Sequence, residues 1–357
     1  MQPFRGPYPH ISLTEARSRR DAMQKQRALG IDPSESRRAE RLAKEAAAAN
    51  TFEAVAREWY GKQVHTWSAS HTRDVQRRLE SNIFPVLGKR PTGEIEAPEL
   101  LKSIRRIESR GSYDLAHRVL QVCGQIFRFG VATGRCSRDL SSDLRGALTP
   151  HVKQNQPAVP VSELPALVRA ISAYDRLGSS QVRISLQLLL LTAARTGELI
   201  GAEWSEFDFD NAAWTIPAER MKMRREHIVP LSRQAIAKLT ELRAITGHSR
   251  FILPGRDAAK TQSNGAILMA LRRMGYGGMQ TGHGFRSLFS TIANESGLFQ
   301  PNVIEAALAH LDKNAVRAAY NRSAYLAERK KLMAWWADRL DASANGGNII
   351  HAKFGTA

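Results

Sequence analysis

Cysteine is nearly absent from this 357-residue chain: only Cys123 and Cys136 occur, and they do not form a CxxC pair. That argues against a disulfide framework or a cysteine-rich zinc site and fits a reducing compartment. Long apolar runs are missing as well. The stretch Ile184 to Ala194 falls far short of the roughly 20 residues of a membrane span, and it carries Ser185 and Gln187. The opening MQPFRGPYPH lacks the apolar core of a signal peptide. These absences predict a soluble, cytoplasmic protein. Acidic residues are few beside basic ones, 34 against 52, so the net charge is +18. Such an imbalance concentrates polyanions near the surface and points to a phosphate backbone, which would make the protein nucleoid-associated.

Strand-like alternation is scarce too. From Ser12 a helix is expected, with Ser12 as N-cap, Glu15 three residues on and Gly30 as the stop. Residues 33–49 read as a charged linker helix. In TFEAVAREWY, residues Phe52, Val55, Ala56, Trp59 and Tyr60 share one helical face. Further helices are expected over residues 70–83, 98–110 and 113–133, making residues 50–148 an all-helical domain. Residues 149–161 carry three prolines among polar residues and read as an interdomain linker. Residues 162–345 mix helices with a short β region. There, Trp214–Ile216 and Ile228–Leu231 are the apolar pieces of a small antiparallel sheet, and the turn between them carries Met221 to Arg225. Residues 346–357 form a tail. The fold class expected is mainly α with a small antiparallel sheet.

Four separated pieces carry chemistry: TAARTGELIGAEW with Arg195, MKMRREHIVPL with Lys222, HGFRS with His283 and Arg286, and ALAHLDKNAVRAAYNRS with His310 and Tyr320. Phosphodiester cleavage without a metal needs cations for the non-bridging oxygens, an in-line nucleophile, an acid for the leaving oxygen and a base for the nucleophile. Two arginines suit the first task because each guanidinium forks onto two oxygens and stays charged. A phenol suits the second, since the phosphodiester it forms conserves the energy of the broken bond. A lysine suits the third task and histidines the fourth. Singly, each residue has a plainer reading. Arg195 and Glu198 could be a surface helix pair, Arg220, Arg224 and Arg225 could face water, His283 could serve a turn, and His310 and Tyr320 could pack in helices.

Together the four pieces, in this order, resemble the tyrosine recombinases of the phage integrase family, closest to prophage and genomic-island integrases, over Ser12 to Leu340. The resemblance implies that Arg195, His283 and Arg286 bind the scissile phosphate and that Lys222 protonates the leaving 5′-oxygen. It makes His310 the second histidine and Tyr320 the nucleophile that becomes a 3′-phosphotyrosine, with Glu198 supporting the first arginine and histidine. It implies site-specific recombination at duplex attachment sites of a mobile element, with no metal, ATP or other cofactor. A tetramer would form at synapsis, aided by a host DNA-bending protein and an excisionase. The helical domain would be the core-binding domain, closing with the catalytic domain as a clamp on DNA. Its Lys62, Arg73, Arg77 and Arg78, with Arg224 and Arg225 of the second domain, would be phosphate contacts. A relaxing type IB topoisomerase and a binding-only remnant are the alternatives.

Three details accompany the resemblance. Residues 1–49 match only the end of the family's β-rich arm-binding domain, so a truncated arm domain is expected. Where relatives carry glycine before the second histidine this chain has Ala309, which a helix would accommodate. Trp335 and Trp336 are either anchors for a partner subunit or packing within their own.

Overall fold

The computed structural model describes residues 12–28, 32, 35, 38, 50–151, 156–221, 224–310 and 325–345. The chain divides into two compact units, residues 1–153 and 154–357.

In the first unit Ser12 and Glu15 exchange bonds at the start of the Leu13–Ala28 helix: the Glu15 N–H donates to the Ser12 hydroxyl, and the Glu15 carboxylate accepts from the Ser12 N–H. This is the reciprocal capping that the spacing predicts. The bundle proper consists of helices Phe52–Gln63, Ala69–Asn82, Ala97–Glu108 and Tyr113–Ala132, with a single turn at Phe84–Leu87. Phe52, Val55, Ala56 and Trp59 lie on the buried face of the first of these. Phe52 meets Phe127 of the long helix at 5.3 Å, ring centre to ring centre. Thr51 and Ser68 cap two helix starts through their hydroxyls, each worth about 1 kcal/mol.

The second unit is built round the helix Ser180–Thr192. Its Ile184, Leu186, Leu188 and Leu189 are all wholly buried, because helices pack on several sides of it: Leu164–Ser172, Arg233–Thr246, Asn264–Arg273, Gly284–Glu295 and Leu326–Ala344. A helix buried on every side shows little amphipathic pattern, which is why it reads as a plain apolar run. One edge of the unit carries a three-stranded antiparallel sheet in the order β1 (Phe207–Asp208), β2 (Ala213–Ile216), β3 (His227–Pro230). Trp214 pairs with Val229 and Ile216 with His227. The link between β2 and β3 is longer than a tight turn and opens with a 3₁₀ turn at Ala218–Arg220.

Two local expectations change. Residues 149–161 do not all behave as linker. The Val159 N–H donates to the Gln280 side chain at 2.9 Å, the Pro157 carbonyl accepts from the Thr281 N–H and hydroxyl, and Val159 is buried. Trp336 is wholly buried, donates its indole N–H to the Leu190 carbonyl at 2.7 Å and meets Phe289 edge-on. It is a core residue of its own subunit, not a partner anchor. Trp335 packs beside it on Phe299. Among the described residues no helix is long and apolar enough to cross a membrane.

Candidate active site

Arg195 sits just beyond the Ser180–Thr192 helix, as the N-cap of the short helix Thr196–Ile200. It is thus not half of a surface helix pair. The Glu198 carboxylate, 6% exposed, accepts from both the Arg195 backbone N–H (2.9 Å) and its guanidinium Nη1 (2.6 Å). The Glu198 carbonyl in turn accepts from Arg220, whose other end is paired with Glu206. Arg220 therefore faces inward as a brace rather than facing water.

Arg286 lies in the first turn of the Gly284–Glu295 helix and is 4% exposed. Its Nη1 donates to the Ala193 carbonyl and its Nη2 to the Leu308 carbonyl, both at 2.6 Å, while Nη2 also lies 3.3 Å from His310 Nε2. Among the described residues its Nε has no partner and no carboxylate is bonded to it. Burial, and then the neighbouring Arg195, bring its pKa down to about 10.

His283 is the N-cap residue of the same helix, with its side chain exposed. Burial of part of the ring, followed by the charges of Arg286, Arg195 and His310, holds it below the usual histidine range. Its two flanking glycines are required by close approach. A side chain at Gly282 would strike the Thr196 hydroxyl, and one at Gly284 would strike the Pro157 carbonyl. His310 follows the helix Pro301–Ala307 and lies outside it; its Nδ1 is 2.6 Å from the Glu305 carboxylate.

The backbone around the two arginines is strained at two alanines. Ala193 (φ 48°) and Ala309 (φ 49°) are left-handed, a region that favours glycine. The Ala193 carbonyl holds Arg286, and the Ala309 carbonyl accepts from Arg195 Nη2 at 3.4 Å. Ala309 is therefore not accommodated in a helix, as the sequence suggests. It takes the turn conformation for which glycine is suited.

Arg195, Glu198, His283, Arg286 and His310 thus converge from three segments. Lys222 and Tyr320 lie outside the described residues. Arg224 and Arg225 are exposed next to the first of these. Lys62, Arg73, Arg77 and Arg78 belong to the other unit. Lys62 and Arg73 are exposed, Arg77 is paired with Asp74 at 3.2 Å, and Arg78 is half-buried. Among the described residues no group of three or more His, Cys, Asp or Glu side chains is placed to hold a metal ion.

Sequence reasoning missed His227 and Arg329. Burial, then Arg329, pushes the His227 pKa down to about 4. Its one signal was a histidine opening the otherwise apolar strand HIVP.

Against known proteins, the pattern of the phage integrase family matches residues 159–326, and that of the phage integrase central domain matches residues 52–147. Prophage integrase IntZ of Escherichia coli (strain K12) is 40% identical over 98% of this chain and 86% of its own length. This chain belongs to the phage integrase family. By family it is a site-specific recombinase. The integrase of Enterobacteria phage P4 is 39% identical over 95% of this chain and 80% of its own. In fold, the chain is similar to a lambda integrase tetramer bound to a Holliday junction, with a TM-score of 0.59 and 15% identity over 74% of this chain and 79% of that one. An arm DNA-binding domain pattern matches residues 1–40. The arm domain is therefore present, which corrects the expectation of a truncated one. That expectation rested on residues 6–35 resembling only the end of such a domain.

Proposed function

We propose that this integrase cuts and reseals DNA through a covalent bond to Tyr320, recombining the attachment sites of a mobile element. The observation that carries this reading is the Arg195–Arg286 pair. Among the described residues two guanidiniums and two histidines converge on a place with a single buried carboxylate, Glu198, which is already committed to Arg195. One guanidinium is held, among the described residues, on its Nη atoms by two carbonyls and the His310 ring, with Nε unpartnered. An unneutralised, desolvated cation favours a bound anion, and a phosphodiester that gains charge in a pentavalent transition state fits such a place best.

In the proposed step the Tyr320 Oη–phosphorus bond forms as the phosphorus–O5′ bond breaks. The phenolic proton passes to a histidine, His310 or His283, and Lys222 gives a proton to O5′. Arg195 and Arg286 hold the non-bridging oxygens, and Glu198 keeps Arg195 in place. Reversal with the 5′-hydroxyl of a second duplex reseals the strand, so no ATP is used. Four protomers would meet at synapsis, as in the lambda integrase tetramer. The helical unit would complete a clamp on duplex DNA, with Lys62, Arg73, Arg77 and Arg78 on phosphates.

A nicked suicide duplex tests this. Its site would be taken from the direct repeat flanking the integrated element, and its short 5′-hydroxyl fragment diffuses away after cleavage. A covalent protein–DNA adduct should accumulate with the native chain and be absent with Tyr320→Phe. Equal adduct from both proteins would sink the nucleophile assignment. Joint products from two intact duplexes distinguish recombination from relaxation alone.

A further inference from the structure

A chain of side-chain bonds runs from the core of the small sheet to the Arg195–Glu198 pair. At its start, Trp214 of β2 is wholly buried and donates its indole N–H to Glu206 Oε2 at 2.9 Å. The other oxygen of that carboxylate, Oε1, accepts from Arg220 Nη1. The Glu206 side chain is only 8% exposed, so its charge needs this cation. Arg220 Nη2 then donates to the Glu198 carbonyl. Glu198 in turn takes the Arg195 guanidinium on Oε1 and the Arg195 backbone N–H on Oε2. Each link uses a different atom, so Glu206, Arg220 and Glu198 are each held at both ends.

The middle link meets a need of the backbone. The helix Thr196–Ile200 has only five residues, and the last carbonyls of a helix find no partner within it. The Ala202 N–H, which would serve the Glu198 carbonyl in a longer helix, goes to the Leu199 carbonyl at 3.1 Å. Arg220 supplies the donor instead, and a cation suits the carbonyl end of a helix. Gly201 makes room for it, since a side chain there would begin 3.2 Å from Arg220 Nη2. A guanidinium holds its two Nη atoms in a fixed fork, whereas the ammonium of a lysine is a single point. Charge alone therefore does not make this link.

We propose that Arg220 is a positioning residue for phosphate binding: anchored on Glu206, it fixes the turn that carries Glu198, and Glu198 aims Arg195 at a non-bridging oxygen. This rests on the reading of Arg195 as a phosphate ligand. A reacting group displaced by about 1 Å costs on the order of 100-fold in rate. Loss of the brace is therefore felt through the charge that Arg195 neutralises, and not through the other steps of cleavage.

The test uses the full chain and the nicked suicide duplex, with either the normal scissile phosphate or one of its two methylphosphonate stereoisomers. In each isomer a methyl group replaces one non-bridging oxygen and removes the negative charge. The initial rate of release of the short 5′-hydroxyl fragment is read in every case, against the native chain on the same duplex. Arg195→Ala should lose roughly 100-fold or more on phosphate and stay within about tenfold of native on one isomer. Arg220→Lys should lose roughly 10- to 100-fold on phosphate and stay within about threefold of native on that same isomer. Added to Arg195→Ala, it should change the rate on that isomer by less than about twofold, because nothing is left to position. Equal loss of Arg220→Lys on phosphate and isomer, or no loss on phosphate, overturns the proposal while Arg195→Ala still shows rescue. If neither isomer rescues Arg195→Ala, the phosphate role of Arg195 falls, and the proposal with it. Should Arg220→Lys not fold, as read from its thermal transition, Gly201→Ala crowds the same guanidinium without removing a charge. It must then show the same selective loss on phosphate, and equal loss on both substrates overturns the proposal.

Discussion

The two ends of the Ser180–Thr192 helix hold arginines of almost equal burial and opposite circumstance. Near its start Arg183, 8% exposed, meets Asp175 at 2.8 Å, Glu241, and the Gln187 amide at 3.0 Å. Burial pulls that guanidinium down, but the two carboxylates outweigh it, and the group ends above its usual value. Past the helix's last residue, the Ala193 carbonyl holds Arg286, which among the described residues has no carboxylate bonded to it and is pulled down to about 10. A buried charge is normally paired. On the proposed function, the paired arginine is a piece of structure, and the one without a described carboxylate is kept open for a phosphate at a cost in stability.

The largest expected effect breaks the comparison at its second member. Arg286→Met should reduce adduct formation by roughly 100- to 1000-fold, as loss of one preorganised donor to a developing oxyanion does. Because the substitution removes an uncompensated buried cation, its thermal midpoint should be unchanged or higher. A midpoint well below that of the native protein would mean that Arg286 is a structural residue like Arg183.

Acid should destabilise the fold through His227 of β3. His227 has a folded pKa of about 4 against an ordinary 6.5, so between these values the unfolded chain binds the extra proton. Stability from this group is complete above about pH 6.5 and is lost as pH falls toward 4. By pH 4.5 the loss should be on the order of 2–3 kcal/mol. Urea melts at pH 7 and pH 4.5 measure it, and His227→Gln should show a smaller drop than the native chain. Equal drops would place the acid sensitivity elsewhere.

Much of this was legible beforehand, and what was not has physical causes. The buried face Phe52, Val55, Ala56, Trp59 follows from a 3.6-residue period, and the Ser12–Glu15 cap from its spacing. The family text in TAARTGELIGAEW and HGFRS is dense enough to bring Arg195, Glu198, His283 and Arg286 into one argument before any coordinates. The role of Trp336 was not legible, because it depends on a partner far along the chain, the Leu190 carbonyl. Left-handed alanines are hidden for a different reason: nothing in a methyl side chain announces a positive φ.

A smaller effect sharpens the first member of the pair. Arg183→Met leaves Asp175 and Glu241 without their cation, but both carboxylates are partly exposed, 48% and 37%, so water takes up much of the loss. Destabilisation of about 1–3 kcal/mol is expected, with adduct formation per folded molecule unchanged. Denaturant melts beside a suicide-substrate time course would show whether stability and chemistry separate in this way. A fall in chemistry at constant stability would contradict it.

The smallest effect concerns the strain found at one end of the helix and not at the other. The start of the helix is capped by Ser179 in an extended conformation, whereas the carbonyls that grip Arg286 and Arg195 belong to left-handed Ala193 and Ala309. A non-glycine residue there costs about 1–2 kcal/mol, partly offset by the larger unfolded-state entropy of glycine. Ala309→Gly should therefore raise stability by up to about 1 kcal/mol, read as a higher midpoint in denaturant. Ala193→Gly should gain less, because the Ala193 methyl is itself buried. If the glycines only relieve strain, cleavage should be unchanged. If Ala309→Gly stabilises the fold yet slows adduct formation, the strained turn is what keeps the Ala309 carbonyl, and so Arg195, in register, and the open end of the helix is held at a cost in its backbone as well as in its charges.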